Sequence, residues 1–91
     1  MAERADDTPK KDLKFPVLCH YKIITEDMPA VERSIRAVLI EFGIQRPLLP
    51  GHRSKDGKYL TFNVEVIANS KEFMDRLDAR LRAIDGVRFV L

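Results

Sequence analysis

The chain holds a single cysteine, Cys19, no tryptophan, and only four glycines in 91 residues. One cysteine excludes an intramolecular disulfide, and with it the stapled scaffold of many small secreted domains. No apolar run approaches the roughly 18 residues that signal a membrane helix. The opening stretch MAERADDTPKKD is charged where a secretion signal would be apolar. A soluble cytoplasmic protein with no membrane partner is the expectation. Also missing are a Walker loop, a dinucleotide fingerprint and a nucleophile elbow, so no enzyme activity and no cofactor is expected.

The loop after the first predicted strand, TEDMPA, cannot cradle a phosphate. Glu26 and Asp27 repel an anion there, and Pro29 lacks the N–H donor. Metal binding fares no better, because Cys19 is predicted on an apolar face with no soft partner nearby. His20 and His52 fall on different strands, and a third ligand or orienting carboxylate would have to come from Glu65. Ordinary surface histidines are the simpler reading.

What is present is a strong fold pattern. Asp56-Gly57 suits a two-residue type I′ hairpin turn, in which both central residues take positive φ. Behind it, Leu60, Phe62, Val64 and Val66 alternate with Tyr59, Thr61, Asn63 and Glu65, the period of a strand with one buried face. From Phe15 to Ile24, Val17, Cys19, Tyr21 and Ile23 alternate with Leu18, His20, Lys22 and Ile24 in the same way. Asp27 is placed to cap a helix with Pro29 in its first turn and Met28, Val31, Ile35, Val38, Leu39 and Phe42 on its apolar stripe. Glu32 with Arg36 forms a solvated flank, and Gly43 ends the helix.

The segment IQRPLLPGHRS carries Pro47 and Pro50, so the strand it forms must lie at a sheet edge. Asn69 or Ser70 caps a second helix, with Glu72 completing a capping box if Asn69 is the cap. Phe73, Leu77, Leu81 and Ile84 make its buried stripe, and Glu72–Arg76 and Asp78–Arg82 pair outside. Asp85-Gly86 ends it, and GVRFVL is a final strand. The order strand, helix, strand, strand, helix, strand predicts an α+β ferredoxin-like βαββαβ sandwich. Its four-stranded antiparallel sheet has two helices on one face and its first and third strands at the centre. Residues 1–12 have too little apolar content to order and are expected to be a disordered tail; residues 13–91 form one domain.

The formal charge of +2 is unevenly spread. Residues 1–14 and 70–86 are each neutral, and 25–43 is net −2. The strands and hairpin hold Lys22, Arg46, Arg53, Lys55, Lys58 and Arg88 against Asp56 and Glu65, a balance of +4. The helix-free sheet face is therefore expected to be cationic and to bind a protein partner or small anionic ligand through His20, Lys22, Arg53, Lys58, Tyr59 and Arg88. Single-stranded RNA is the alternative partner for the same face. It is weakened by the near-neutral chain and by a single predicted aromatic, Tyr59, where stacking needs more. A homodimer that covers this face stays open.

Two resemblances add to this reading. EDMPAVERSIRAVLIEFGIQ is similar to the small-molecule-sensing ACT regulatory domain, although Ala30 stands where that domain's ligand-approaching glycine would be. Phe15-Pro16, YKII at 21–24, RSKDGKYLTFNVEVIANS at 53–70 and GVRFVL together resemble the YbeD-like family of small bacterial proteins, with Gly57, Lys58 and Tyr59 matching its strongest motif. That resemblance implies an ACT-like fold and a regulatory role linked to lipoate metabolism. Cys19, His20 and Thr25 depart from the phenylalanines and glycine common in the family's first strand.

Overall fold

The computed structural model describes residues 14–91; the expectation for residues 1–12 lies outside them. In chain order the elements are β1 (Val17–Glu26), α1 (Pro29–Glu41), β2 (Leu49–Arg53), β3 (Tyr59–Ala68), α2 (Lys71–Arg82) and β4 (Val87–Val90). They form one antiparallel sheet in the order β2-β3-β1-β4, so β1 and β3 are central as predicted. The ferredoxin-like arrangement follows from the two apolar helix stripes, which can both be buried only against the same sheet face.

β1 runs two residues further than its sequence pattern suggested and pairs in continuous register with β3, from Val17 opposite Ala68 to Glu26 opposite Tyr59. Tyr21, Ile23, Leu60, Phe62, Val64 and Val66 point into the core, where they meet Val31, Ile35, Val38 and Leu39 of α1 and Leu77 and Leu81 of α2. Phe42 and Phe73 close one end of the helix layer edge to face, with ring centroids 5.6 Å apart. β2 is exposed along its whole length and its pairing with β3 shifts between Pro50 and Arg53, the irregular edge that the prolines demand.

Several local expectations are corrected. The hairpin is not a type I′ turn: Gly57 has φ +75°, but no non-glycine residue takes a positive φ among the described residues, Asp56 included. Ser54 instead pairs with Tyr59 across a longer loop. Its N–H donates to the Tyr59 carbonyl at 2.9 Å, and the Gly57 N–H donates to the Ser54 carbonyl at 3.0 Å. The side chains favour this loop. The Ser54 hydroxyl donates to Asp56 at 2.7 Å and accepts from the Tyr59 N–H, while Asp56 also accepts from the Lys58 N–H at 3.1 Å.

Asp27 does not cap α1. Met28 occupies the N-cap with no side-chain hydrogen bond and is half exposed, so it leaves the predicted stripe. The Asp27 carboxylate is held by Arg53 instead, at 2.5 Å from Nε. At α2 the cap is Ser70, whose hydroxyl accepts from the Phe73 N–H at 3.0 Å. That places Phe73 where a capping box would need its acid, so Glu72 completes none. Lys71–Asp75 joins Asp78–Arg82 on the surface of α2, and no Glu72–Arg76 pair forms among the described residues. Gly86 leads into β4 with φ +98°, and a Cβ there would stand 2.5 Å from a Val31 methyl, so the turn seats α1 closely.

Candidate functional site: the helix-free sheet face

Strand alternation sends every second residue of β1 and β3 to the side with no helix. That face carries Leu18, His20, Lys22 and Ile24 from β1, and Tyr59, Thr61, Asn63, Glu65 and Ile67 from β3. Phe89 of β4 joins them opposite Ile24, and Leu49 of β2 opposite Asn63. Leu18, Leu49, Ile67 and Phe89 are each at least half exposed. No described residue roofs Tyr59, Thr61 or Asn63.

Four of the six predicted site residues converge at one corner, where the β1–α1 turn meets the hairpin. Lys58 and Tyr59 border a shallow depression with Glu26, Asp27, Met28 and Gly57. Tyr59 also borders a second depression of about 420 Å³ with Ile24, Arg88 and Phe89. Arg53 reaches the same corner through Asp27, and the Asp27 N–H donates to the Lys58 carbonyl at 3.0 Å, so turn and hairpin are joined by both backbone and side chain. Arg88 is skipped by the β1–β4 ladder, whose pairing passes from Phe89 to Val87, and this bulge frees its side chain to bind Glu26.

The remaining two stand apart. His20 lies further along β1 with Nε2 3.2 Å from the Asn63 side-chain oxygen. It borders a separate groove with Arg46, Leu49 and Glu65. Lys22 projects from the middle of the face. Glu65 sits opposite His20 in register but is paired with Arg46 at 3.2 Å, so it does not join the histidines.

The cationic surface expected from segment charges is much reduced. Arg53 and Arg88 are neutralised by Asp27 and Glu26, acids from the net-negative segment that folding delivers to the strand layer. Adding those two acids lowers the layer's balance from +4 to +2. Among the described residues, Lys22, Lys55 and Lys58 are the cations of the strands and hairpin left without an ion-pair partner. The Arg53 guanidinium is held above its ordinary pKa by its hydrogen bond to Asp27 and that carboxylate's charge. Asp56 is held below the usual carboxylate range by the Ser54 hydroxyl and the Lys58 N–H.

Of the apolar residues of the face, the sequence placed Leu18, Ile24 and Tyr59 there but did not single out Leu49, Ile67 or Phe89. GVRFVL is apolar at both parities, so alternation alone does not say that Phe89 faces out while Val90, opposite Ile23, faces in. Leu18 and Ile67 face each other across β1 and β3, and their exposure follows only from the absence of a helix above them.

The match to known proteins agrees with this architecture. Residues 10–91 match the family described as Protein of unknown function (DUF493). A UPF0250 protein from Ruthia magnifica subsp. Calyptogena magnifica is 28% identical over 80 residues, covering 85% of this chain and 86% of that one. The solution structure of protein HP0495 from Helicobacter pylori superposes with a TM-score of 0.77 at 19% identity, over 100% of this chain and 98% of that one. The crystal structure of the ACT domain from GTP pyrophosphokinase of Chlorobium tepidum superposes with a TM-score of 0.63 at 24% identity, over 81% of this chain and 94% of that one. The chain thus belongs to the DUF493 family, the YbeD-like group that its hairpin motif resembles, and has an ACT-like fold.

Proposed function

We propose that the protein is a non-enzymatic regulatory or adaptor domain that binds a protein partner through its helix-free sheet face, with Tyr59, Phe89 and Lys58 at the anchoring corner. The observation that supports this reading is the mixed character of that face. Large apolar side chains at Leu18, Leu49, Tyr59, Ile67 and Phe89 are exposed around a polar belt of Lys22, the His20–Asn63 contact and the Arg46–Glu65 pair. Clustered exposed apolar groups with a polar surround are what a docking surface needs and what an idle surface avoids. The lipoate link implied by the family resemblance makes a protein of lipoate metabolism the first partner to test. A small anionic ligand would engage Lys58, the free cation of the corner.

Phe89→Asp combined with Lys58→Glu tests this. The double variant is expected to fold as the parent does by circular dichroism and to lose the parent's captured partner, while Arg33→Glu on the exposed side of α1 keeps it. Retention of the same partner by the double variant would sink the reading. Single-stranded RNA stays as a second reading because Tyr59 and Phe89 together border the depression beside Arg88, two aromatics where the sequence offered one. Oligonucleotide titration separates the two readings, since phosphate contacts give a steep loss of affinity with salt. No binding at low salt removes RNA.

A further inference from the structure

Asp-Gly occurs twice in the chain, at Asp56-Gly57 and Asp85-Gly86. It is the dipeptide at which a backbone most readily closes on its own side chain, because glycine has no Cβ to shield its nitrogen. Both turns grip the β1–α1 connection. The Asp27 N–H donates to the Lys58 carbonyl at 3.0 Å, and the Glu26 N–H to the Gly86 carbonyl at 2.8 Å. Arg53 and Arg88 take the carboxylates of the same two residues.

The two Asp-Gly pairs are held differently. At the hairpin, Asp56 Oδ1 accepts from the Ser54 hydroxyl at 2.7 Å and from the Lys58 N–H at 3.1 Å. The Gly57 N–H closes the turn on the Ser54 carbonyl at 3.0 Å. Both reacting groups are therefore tied. The same bonds hold Asp56 below the usual carboxylate range, and an ionised carboxylate is the poorer electrophile.

After α2 neither group is tied. The Val87 N–H closes that turn on the Ile84 carbonyl at 3.1 Å, so Asp85-Gly86 is its central peptide. Asp85 has a negative φ and Gly86 one of +98°, the pattern of a type II turn. Among the described residues nothing bonds the exposed Asp85 carboxylate or the Gly86 N–H. Types I and II differ chiefly by rotation of the central peptide. That unit can swing its nitrogen toward the Asp85 side chain while the Ile84–Val87 and Gly86–Glu26 bonds stay in place. The hairpin peptide is denied this motion, since its N–H is the bond that closes the turn.

We propose that Asp85 is a modification site, the aspartate that this fold leaves open to isoaspartate formation while it locks Asp56. The Gly86 nitrogen attacks the side-chain carboxyl carbon of Asp85. Its proton and the hydroxyl of the protonated carboxyl leave as water, and a succinimide closes. A second water adds to the main-chain carbonyl carbon of the ring, the C–N bond there breaks, and the chain runs on through Cβ. No oxidant, reductant or cofactor enters. The backbone gains one methylene between α2 and β4, in a turn where even a Cβ on Gly86 would stand 2.5 Å from a Val31 methyl. The Gly86 carbonyl is then drawn off the Glu26 N–H, and the β1–α1 turn is loosened from its β4 side. This inference does not rest on the proposed partner, because the chemistry is the chain's own.

Ageing the full chain at neutral pH tests it. The product keeps its mass, so it is read after digestion by methyl transfer from S-adenosylmethionine with an isoaspartyl methyltransferase. In the folded chain, label should gather in the peptide holding Asp85 several-fold faster than in the one holding Asp56. In denaturing urea, where neither turn survives, the two rates should converge. Ser54→Ala, which removes one hydroxyl from the hairpin, should raise the Asp56 rate and leave the Asp85 rate alone. In the purified isomer the Glu26 amide should exchange with solvent faster than in the fresh chain, while the Asp27 amide does not. Equal rates at the two sites of the folded parent overturn the proposal, as does label confined to Asp56. Label that appears at neither site until urea is added also overturns it, since packing on Val31 would then lock the Asp85 turn. An Asp56 rate unmoved by Ser54→Ala would refute the hairpin lock, and an unaltered Glu26 amide would refute the link to the β1–α1 turn.

Discussion

Tyr21 illustrates how one residue couples the core to solution conditions. Its ring is buried against α2, and desolvation, reinforced by charge on Cys19, Asp78 and Asp75, pushes its phenol up to about 12 from an ordinary value of 10. The folded state thus disfavours the ionised form, and the unfolded state releases the proton first. This contribution to stability is complete below pH 10 and declines as pH rises through about 12. Tyr21→Phe should flatten that alkaline decline, read as urea midpoints between neutral pH and pH 11. An unchanged decline would show that the phenol is not what loses stability there. The candidate site shows residue chemistry outrunning sequence order. Arg53 and Arg88 read as free cations because their partners, Asp27 and Glu26, lie in a neighbouring segment, 26 and 62 positions away. The closing of the hairpin onto the β1–α1 turn brings Arg53 to Asp27, and the pairing of β4 with β1 brings Arg88 to Glu26.

Helix ends give the contrast at the level of elements. Ser70 caps α2 through its hydroxyl, while Met28 at the equivalent place on α1 has the extended backbone of a cap, φ −137° and ψ 134°, but no acceptor to offer. Ser70→Ala should therefore cost about 1 kcal/mol, and Met28→Ser should stabilise the fold by about 0.5–1 kcal/mol. Both effects can be read from chemical denaturation. A destabilising Met28→Ser would mean that the half-exposed methionine packs against something at the turn. The elements themselves were legible because strand alternation in β3 and the apolar stripes of α1 and α2 each satisfy one period over ten or more residues. The exact caps were not. Asp27 is a good cap by residue type, yet a guanidinium 26 residues away competes for its carboxylate and wins. The hairpin type was also out of reach, since Asp56 is engaged by Ser54 and Lys58 in a longer loop that no dipeptide rule includes.

At the scale of the molecule, the essential asymmetry is that both helices lie on one side of the sheet. The βαββαβ order makes that arrangement readable from sequence, since two apolar stripes must share a face. It does not reveal how apolar the opposite face is, because the terminal strand is apolar at both parities. Two phenylalanines of the sheet isolate the difference. Phe62 is 2% exposed against the helices, and Phe89 is 58% exposed on the other side. Phe62→Ala should cost about 3–5 kcal/mol through lost burial and a residual cavity. Phe89→Ala, which removes the same atoms, should cost less than about 1 kcal/mol. Equal costs for the two changes would mean that the helix-free face is covered in solution, by another part of the chain or by a second copy stacked on it. The anchoring corner would then no longer be available to a partner.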